Sequence, residues 1–257
     1  MVYQTAILFS HSEPFGGLIA FVFFSTICSY NFHWYLTSHS LTSSQRIRWA
    51  QEHRGWHLIL YFAGLAGAAI SFFTIIEHWI ALAFGAFLTF LYSAPKLPQT
   101  FFRSLKRIAI GKTIFLSFVW TYVTTILPIV VAGSAWRIEY SVFVANRFFL
   151  IYGICILFDY RDREDDQRDG IRSMITYFSE KGVDFLFILS LVLFIITTLA
   201  LALYGHSALE ITVLLMPGLI TAGLYNYAKR NFSDYLYYFV LDGLMGLSGL
   251  VILFFKI

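Results

Sequence analysis

Charged residues are scarce in this chain. Asp, Glu, Lys and Arg make up 13% of its 257 residues, about half the share usual in soluble domains, which is roughly a quarter. The shortage excludes an ordinary water-soluble domain. With 58% hydrophobic residues and a mean hydropathy of +0.70, the composition is that of an integral membrane protein. Cysteine is nearly absent. Cys28 and Cys155 both lie in apolar runs, which excludes a disulfide framework or a cysteine metal cluster and leaves two small buried hydrophobes. Of only five prolines, Pro128 and Pro217 fall inside apolar runs, where they are expected to kink or end helices. Internal repeats, low-complexity tracts and a soluble domain are all missing. The opening MVYQTAILF lacks the basic start and small-residue cleavage site of a signal peptide. Apolar but too short to span, it reads as the tail of a further helix.

Long apolar runs are what the chain has instead. Eight are long enough to cross about 30 Å of hydrocarbon, near residues 14–35, 56–76, 78–94, 108–131, 141–158, 183–204, 209–228 and 235–255. None alternates as barrel strands do, and backbone groups in lipid must be satisfied within their own segment. The expected fold is therefore all-α, a single membrane-embedded bundle over residues 1–257. Sorting Lys and Arg into alternate connections puts fifteen of the eighteen on one side, leaving Arg137, Arg147 and Lys256 on the other. By the positive-inside rule the richer side is cytoplasmic, and a bacterial inner (plasma) membrane is the expected location. The net charge of +3 then reflects orientation and gives no reason to expect a nucleic-acid partner; no protein partner is expected either.

Function should gather at the basic side, where the connections near residues 36–55, 92–112 and 159–182 are long. In the first, Ser43 and Ser44 are placed to cap a short helix through QRIRWAQEHR with Gly55 as its stop. Such a helix is either a lid or a segment resting at the headgroups. The third connection, DYRDREDDQRDG over residues 159–170, holds six of the fifteen acidic residues. On a helix Asp159, Asp162, Asp166 and Asp169 share one face. Oxygen-only ligands in that arrangement suit a hard divalent ion, Mg²⁺ first, and through it a phosphorylated substrate. The open alternative is a solvated mixed-charge loop, because Arg161, Arg163, Arg168 and Arg172 interleave with the acids.

RDREDDQRDGIRSM, residues 161–174, resembles the second aspartate-rich motif of the UbiA superfamily of intramembrane prenyltransferases. Asp162, Asp166 and Gly170 stand at the family spacing, and Ser173 and Met174 replace its threonine-leucine pair. LYSAPKL, residues 91–97, is similar to the family's tyrosine, small residue, proline pattern. The basic stretch through Arg107 and Lys112, then Trp120, follows in similar order. The resemblance implies a helical bundle, usually of nine spans, that holds an isoprenyl diphosphate through Mg²⁺ and alkylates a small acceptor in the membrane. It makes Asp162 and Asp166 the catalytic metal ligands, assisted by Glu164 or Asp169. Arg107, Lys112, Lys96 and Tyr92 become diphosphate contacts. For the basic residues, membrane anchoring is the competing role.

The family's first motif, N-x-x-x-D-x-x-x-D, has its counterpart in NFHWYLTSH, residues 31–39. Asn31 is kept, whereas Tyr35 and His39 stand where the aspartates belong. His33 and His39 could ligate a metal, although imidazole suits Zn²⁺, Mn²⁺ or Fe²⁺ better than Mg²⁺. Asn31, Tyr35 and the histidines could equally hydrogen-bond a phosphate or an acceptor directly. Asp242, inside the last apolar run, is a candidate for orienting an acceptor or for pairing with Asn226 or Asn146. Gly243, Gly246 and Gly249 predict close helix packing beside it. The expected function is a Mg-dependent prenyltransferase. The alternative is a lipid or quinone binder or a transporter on the same scaffold.

Overall fold

The structure is a computed structural model that describes residues 1–10, 16–37, 45–93, 111–133, 135–168 and 177–255. Among these residues it is all helix: α1 (Val2–Ser10), α2 (Gly16–Thr37), α3 (Gln45–Glu52), α4 (Arg54–Phe73) and α5 (Trp79–Ser93), then α6 (Lys112–Val131), α7 (Ile138–Arg168), α8 (Glu180–Ala200), α9 (Ala208–Ala228) and α10 (Tyr235–Phe255). Seven helices are long and apolar enough to cross a membrane. The eighth expected span is α2, which has the necessary 22 residues, but Asn31 and His33 near its end lower its hydropathy and leave it outside the seven. Gly55 does not stop the short helix: α3 ends at Glu52 and Gly55 lies in the first turn of α4.

The longest helix, α7, is the axis of the bundle. Of its apolar span 61% is buried, against 22% for α4 and for α5. One core joins Leu150, Ile154 and Leu157 of α7 to Phe187 of α8 and Tyr237 and Leu241 of α10. Another joins Leu18 of α2, Leu82 of α5 and Val119 and Leu127 of α6. Side chains such as Ile70, Phe73, Ile80 and Phe254 are about seven-tenths exposed or more. In water that would forgo roughly 25 cal/mol per Å² of burial; against lipid it costs nothing. The α2–α4 pair packs closely because Gly64 has no side chain. A Cβ there would lie 2.6 Å from the Cys28 backbone nitrogen.

Consecutive long helices run antiparallel, so the C-termini of α2, α5, α7 and α9 meet the N-termini of α4, α6, α8 and α10 at one end of the bundle. That end carries Asp162 and is called here the acidic end. At the opposite end Glu139 accepts from Arg137 at 3.1 Å and lies 3.1 Å from His206 Nε2. Two expectations about the interior change. Arg147 is not in a connection; it sits in the third turn of α7 with no exposed surface. Of the three glycines of α10 only Gly249 packs closely, against Gln4 of α1. Among the described residues, Gly243 and Gly246 have no heavy atom of another element within 4 Å of where a Cβ would stand. Pro128, lacking an N–H, cannot bond the carbonyl of Thr124 one turn back. That carbonyl instead accepts from Thr5 Oγ1 at 2.9 Å, next to a π-helical turn at Tyr122–Ile126.

Candidate functional site

The carboxylate side of the site is the last part of α7. Asp159 is buried and accepts a hydrogen bond from Thr113 Oγ1 at the start of α6. One turn on, Asp162 keeps 30% of its side-chain surface exposed and accepts from Arg161 Nε at 2.9 Å. Arg161 is not part of a solvated face, as the interleaved pattern allowed. Its side chain is 5% exposed, and its guanidinium carbon lies 4.9, 5.0 and 4.5 Å from the ring centres of Phe158, Tyr237 and Tyr238. Ring faces attract cations, so this aromatic cage fixes the charge next to Asp162. The Nη1 of Arg161 is buried without a hydrogen-bond partner. Tyr92, at the end of α5, lies within electrostatic reach of Lys112, Asp162 and Asp159. Helices distant in sequence thus bring Tyr92, Lys112, Asp159 and Asp162 together.

A second cluster forms from α2, α4 and α5. Asn31 Nδ2 donates to the Ile27 carbonyl at 2.8 Å, and its Oδ1 lies 2.9 Å from His57 Nδ1. Tyr35, in the first aspartate position, accepts at its hydroxyl from Arg54 at 2.8 Å and stacks its ring under the same guanidinium at 4.4 Å. His33 stacks on Tyr92, with ring centres 5.3 Å apart, and its Nδ1 lies 3.3 Å from Ser93 Oγ. Trp49 of α3 stacks on His53 and turns an edge to His57. This cluster contains imidazoles, an amide, phenols and an arginine; its described part has no carboxylate.

Between the clusters lies Tyr30. Its ring meets Trp120 at 6.3 Å and it is within electrostatic reach of Asp242, Tyr92, Cys155 and Tyr238. These electrostatic partners belong to α5, α7 and α10, and 45% of the Tyr30 surface is accessible. Asp242 follows directly on the π-helical stretch Tyr235–Leu241 and faces Tyr30 and Arg161 electrostatically. Its proposed pairing with Asn146 does not occur: Asn146 bonds Thr198 Oγ1 at 2.6 Å and the Phe194 carbonyl at 3.2 Å, and Asn226 is exposed.

The acidic end of α7 is braced from its other side. Asp184 Oδ1 accepts from the hydroxyls of Tyr160, at 3.1 Å, and Tyr225, and from Lys229 Nζ at 2.8 Å. Lys229 also pairs with Glu180 at 2.8 Å. Burial works to lower the Lys229 ammonium, but the hydrogen bonds to Asp184 and Glu180 outweigh it and hold the group above its ordinary value. Ser179 caps the start of α8 by accepting from Gly182 N at 3.3 Å.

Of the residues expected from sequence, Asn31, Tyr92, Lys112, Asp162 and Asp242 are thus located around one end of the bundle. The backbone of α7 carries Glu164 and Asp166, and Asp166 falls one turn beyond Asp162 on the same helix face; their side chains lie outside the description. Lys96, Arg107, Asp169 and His39 lie outside the described residues altogether, as do Ser43 and Ser44. Among the described residues no three His, Cys, Asp or Glu side chains converge on a metal-sized site. The donors that are described at this end of α7, Asp159 and Asp162, are hard oxygen ligands of the kind Mg²⁺ takes. Sequence reasoning did not select Thr113, Arg161, Asp184 or His57. The one available clue was an acid, Asp184, at the start of an apolar run.

A family model, that of the UbiA prenyltransferase family, matches residues 50–239. The match takes in the carboxylate side of the site and stops short of α1 and α2. No curated protein and no solved structure matches the chain.

Proposed function

The chain belongs to the UbiA prenyltransferase family, and from that premise we propose that it moves an isoprenyl group from an isoprenyl diphosphate to a small aromatic, quinone-precursor or lipid acceptor within the membrane. The observation that supports this reading is that Tyr92, Lys112 and Asp162, from three helices, lie within electrostatic reach of one another at the acidic end. Asp162 and Asp166 would hold Mg²⁺, with Glu164 or Asp169 assisting. When bound, the ion would neutralise charge developing on the departing diphosphate. Lys112, Lys96 and Arg107 bind diphosphate oxygens, and Tyr92 donates a hydrogen bond to them. Arg161 holds the Asp162 carboxylate in place from its aromatic cage. The apolar interior keeps water from the prenyl cation once the carbon–oxygen bond breaks. Asp242 and Asn31 orient the acceptor. The whole of residues 1–257 acts as one membrane-embedded unit, with the acidic end on the cytoplasmic face of a plasma membrane.

The deciding experiment uses the full-length protein in lipid nanodiscs. Labelled isoprenyl diphosphates of several lengths are supplied with Mg²⁺ and a panel of acceptors, and prenylated product and free diphosphate are measured. Product formation that ceases with EDTA and returns with Mg²⁺ is expected. Absence of turnover across the panel, with donor binding indifferent to EDTA, rules the enzyme out. One observation favours the second reading, a lipid or quinone binder or a transporter. Asn31 and Tyr35, where the first motif would grip its metal, are engaged by His57 and Arg54.

A further inference from the structure

Glu77 and His78, in the turn between α4 and α5, line the mouth of a groove of about 450 Å³. That volume falls within the range of small-molecule sites, roughly 300–1,000 Å³. Ile80 and Phe84 of α5 and Tyr122 and Val130 of α6 form its walls. Tyr122 commits its polar group to the protein: the hydroxyl donates to the Ala81 carbonyl at 2.9 Å, and the ring meets Phe84 edge to face at 5.1 Å. The walls are therefore apolar. Because α5 and α6 run in opposite directions, Val130 stands near the mouth and Tyr122, two turns earlier in α6, lies about 12 Å deeper. Charge is found at the outer end. Glu77 keeps 81% of its side chain exposed, and its ionic neighbour is His78, whose Nε2 lies 3.4 Å from Oε1. Among the described residues no Lys or Arg pairs with Glu77, and its Oε2 has no partner.

An apolar groove with an uncompensated carboxylate at its membrane-boundary end has the polarity of a phospholipid standing in its own leaflet. We propose that it holds one phospholipid with a primary-amine headgroup, of the phosphatidylethanolamine class, from the leaflet opposite the acidic end. One acyl chain lies between α5 and α6 along Ile80, Phe84 and Val130, and the ammonium donates to Glu77 Oε2 in a charge-assisted hydrogen bond. Glu77 repels an anionic headgroup. A quaternary headgroup matches the charge but has no N–H to give. Of the α5 span only 22% is buried, so a chain seated beside it supplies packing that the protein leaves out. This lipid is a structural ligand at the end away from Asp162, and the proposal is independent of the transferase reading.

The test uses full-length protein in detergent, stripped of lipid and then given an equal mixture of dioleoyl phosphatidylethanolamine, dioleoyl phosphatidylcholine and dioleoyl phosphatidylglycerol. Bound lipid is identified by native mass spectrometry. Phosphatidylethanolamine should be retained over phosphatidylcholine by about fivefold, the upper end for an exposed ion pair, with phosphatidylglycerol retained least. Glu77→Gln removes the charge and should bring the ethanolamine and choline lipids to within about twofold of each other. Val130→Trp fills the groove and should abolish the preferred binding of any one lipid. Both substitutions fall on exposed side chains, and unchanged helix content by circular dichroism checks that the bundle is intact. Equal retention of the three lipids, or a preference for the choline or glycerol lipid, overturns the proposal. So does an ethanolamine preference that survives either substitution, because the lipid would then be held elsewhere.

Discussion

The two sides of the acidic end solve the same problem differently. On α7, Asp159 and Asp162 are carboxylates, each held by a donor from its own neighbourhood, Thr113 and the caged Arg161. On the other side, α2 and α4 pair Asn31 with His57 and Tyr35 with Arg54, and His33 lies beside Ser93 of α5. One side gathers carboxylates and steadies them with a hydroxyl and a guanidinium. The other has no described carboxylate and meets its needs by hydrogen bonding. The second side is thus held together without the charge that the first side carries.

The sharpest way to break the comparison is Asp162→Ala, which removes the one motif carboxylate whose surroundings are described. Prenyl transfer should fall about a thousandfold, the scale of losing a principal electrostatic contact in a transition state. A fall below tenfold in the nanodisc assay would mean that the carboxylate side is not the reacting side. Thr113→Val comes next. It removes the hydroxyl that donates to buried Asp159, and stability measured by thermal or denaturant unfolding should drop by about 2 kcal/mol, as for a hydrogen bond to a charged group. Asp184→Asn weakens the brace behind α7. Because Asp184 keeps 35% of its side chain exposed, screening limits the loss to about 1 kcal/mol, read from the same unfolding curves. The smallest effect is expected from Tyr35→Asp, which restores one aspartate of the missing motif. Arg54 is 2.8 Å from the tyrosine oxygen and would pair with the new carboxylate, so the Mg²⁺ concentration for half-maximal activity should stay within about twofold. A large drop in that concentration would show that the imidazole side still has room for a metal.

Much of this was legible in the order of residues. Scarce charge, long apolar runs and one-sided Lys and Arg predict a membrane bundle, and the seven spans agree with that class. The count differs at α2 because the polar residues that build the site, Asn31 and His33, also dilute the hydropathy by which spans are recognised. The spacing of Asp162 and Asp166 on one helix is a local property and was readable. The partners that hold the acidic end together were not. Thr113 and Asp159 are 46 positions apart, Asp184 and Tyr225 are 41 apart, and Asn31 and His57 are 26 apart. Such pairs are set by which helices stand side by side, a matter of packing that no single segment encodes. Arg161 misled for a related reason: in a mixed-charge run it looks solvated, and only the rings of Tyr237 and Tyr238, contributed by the last helix, turn it inward.

Arg147 adds a constraint on how the chain is made. Its side chain is wholly buried, with hydrogen bonds to Gln4 Oε1, 143 positions earlier, and to Ser248 Oγ at 3.5 Å, 101 positions later. Among the described residues no carboxylate lies within ion-pair distance of it. During synthesis α7 therefore enters the bilayer with a cation that, among the described residues, is met at first by the Gln4 amide of α1 and the Phe143 ring of its own helix. The rest of its polar shell arrives when the last helix is inserted. An arginine so placed rewards completion: a chain released before α10 retains a half-solvated charge in hydrocarbon, an expensive arrangement and a ready mark by which quality control could tell an unfinished copy from a finished one.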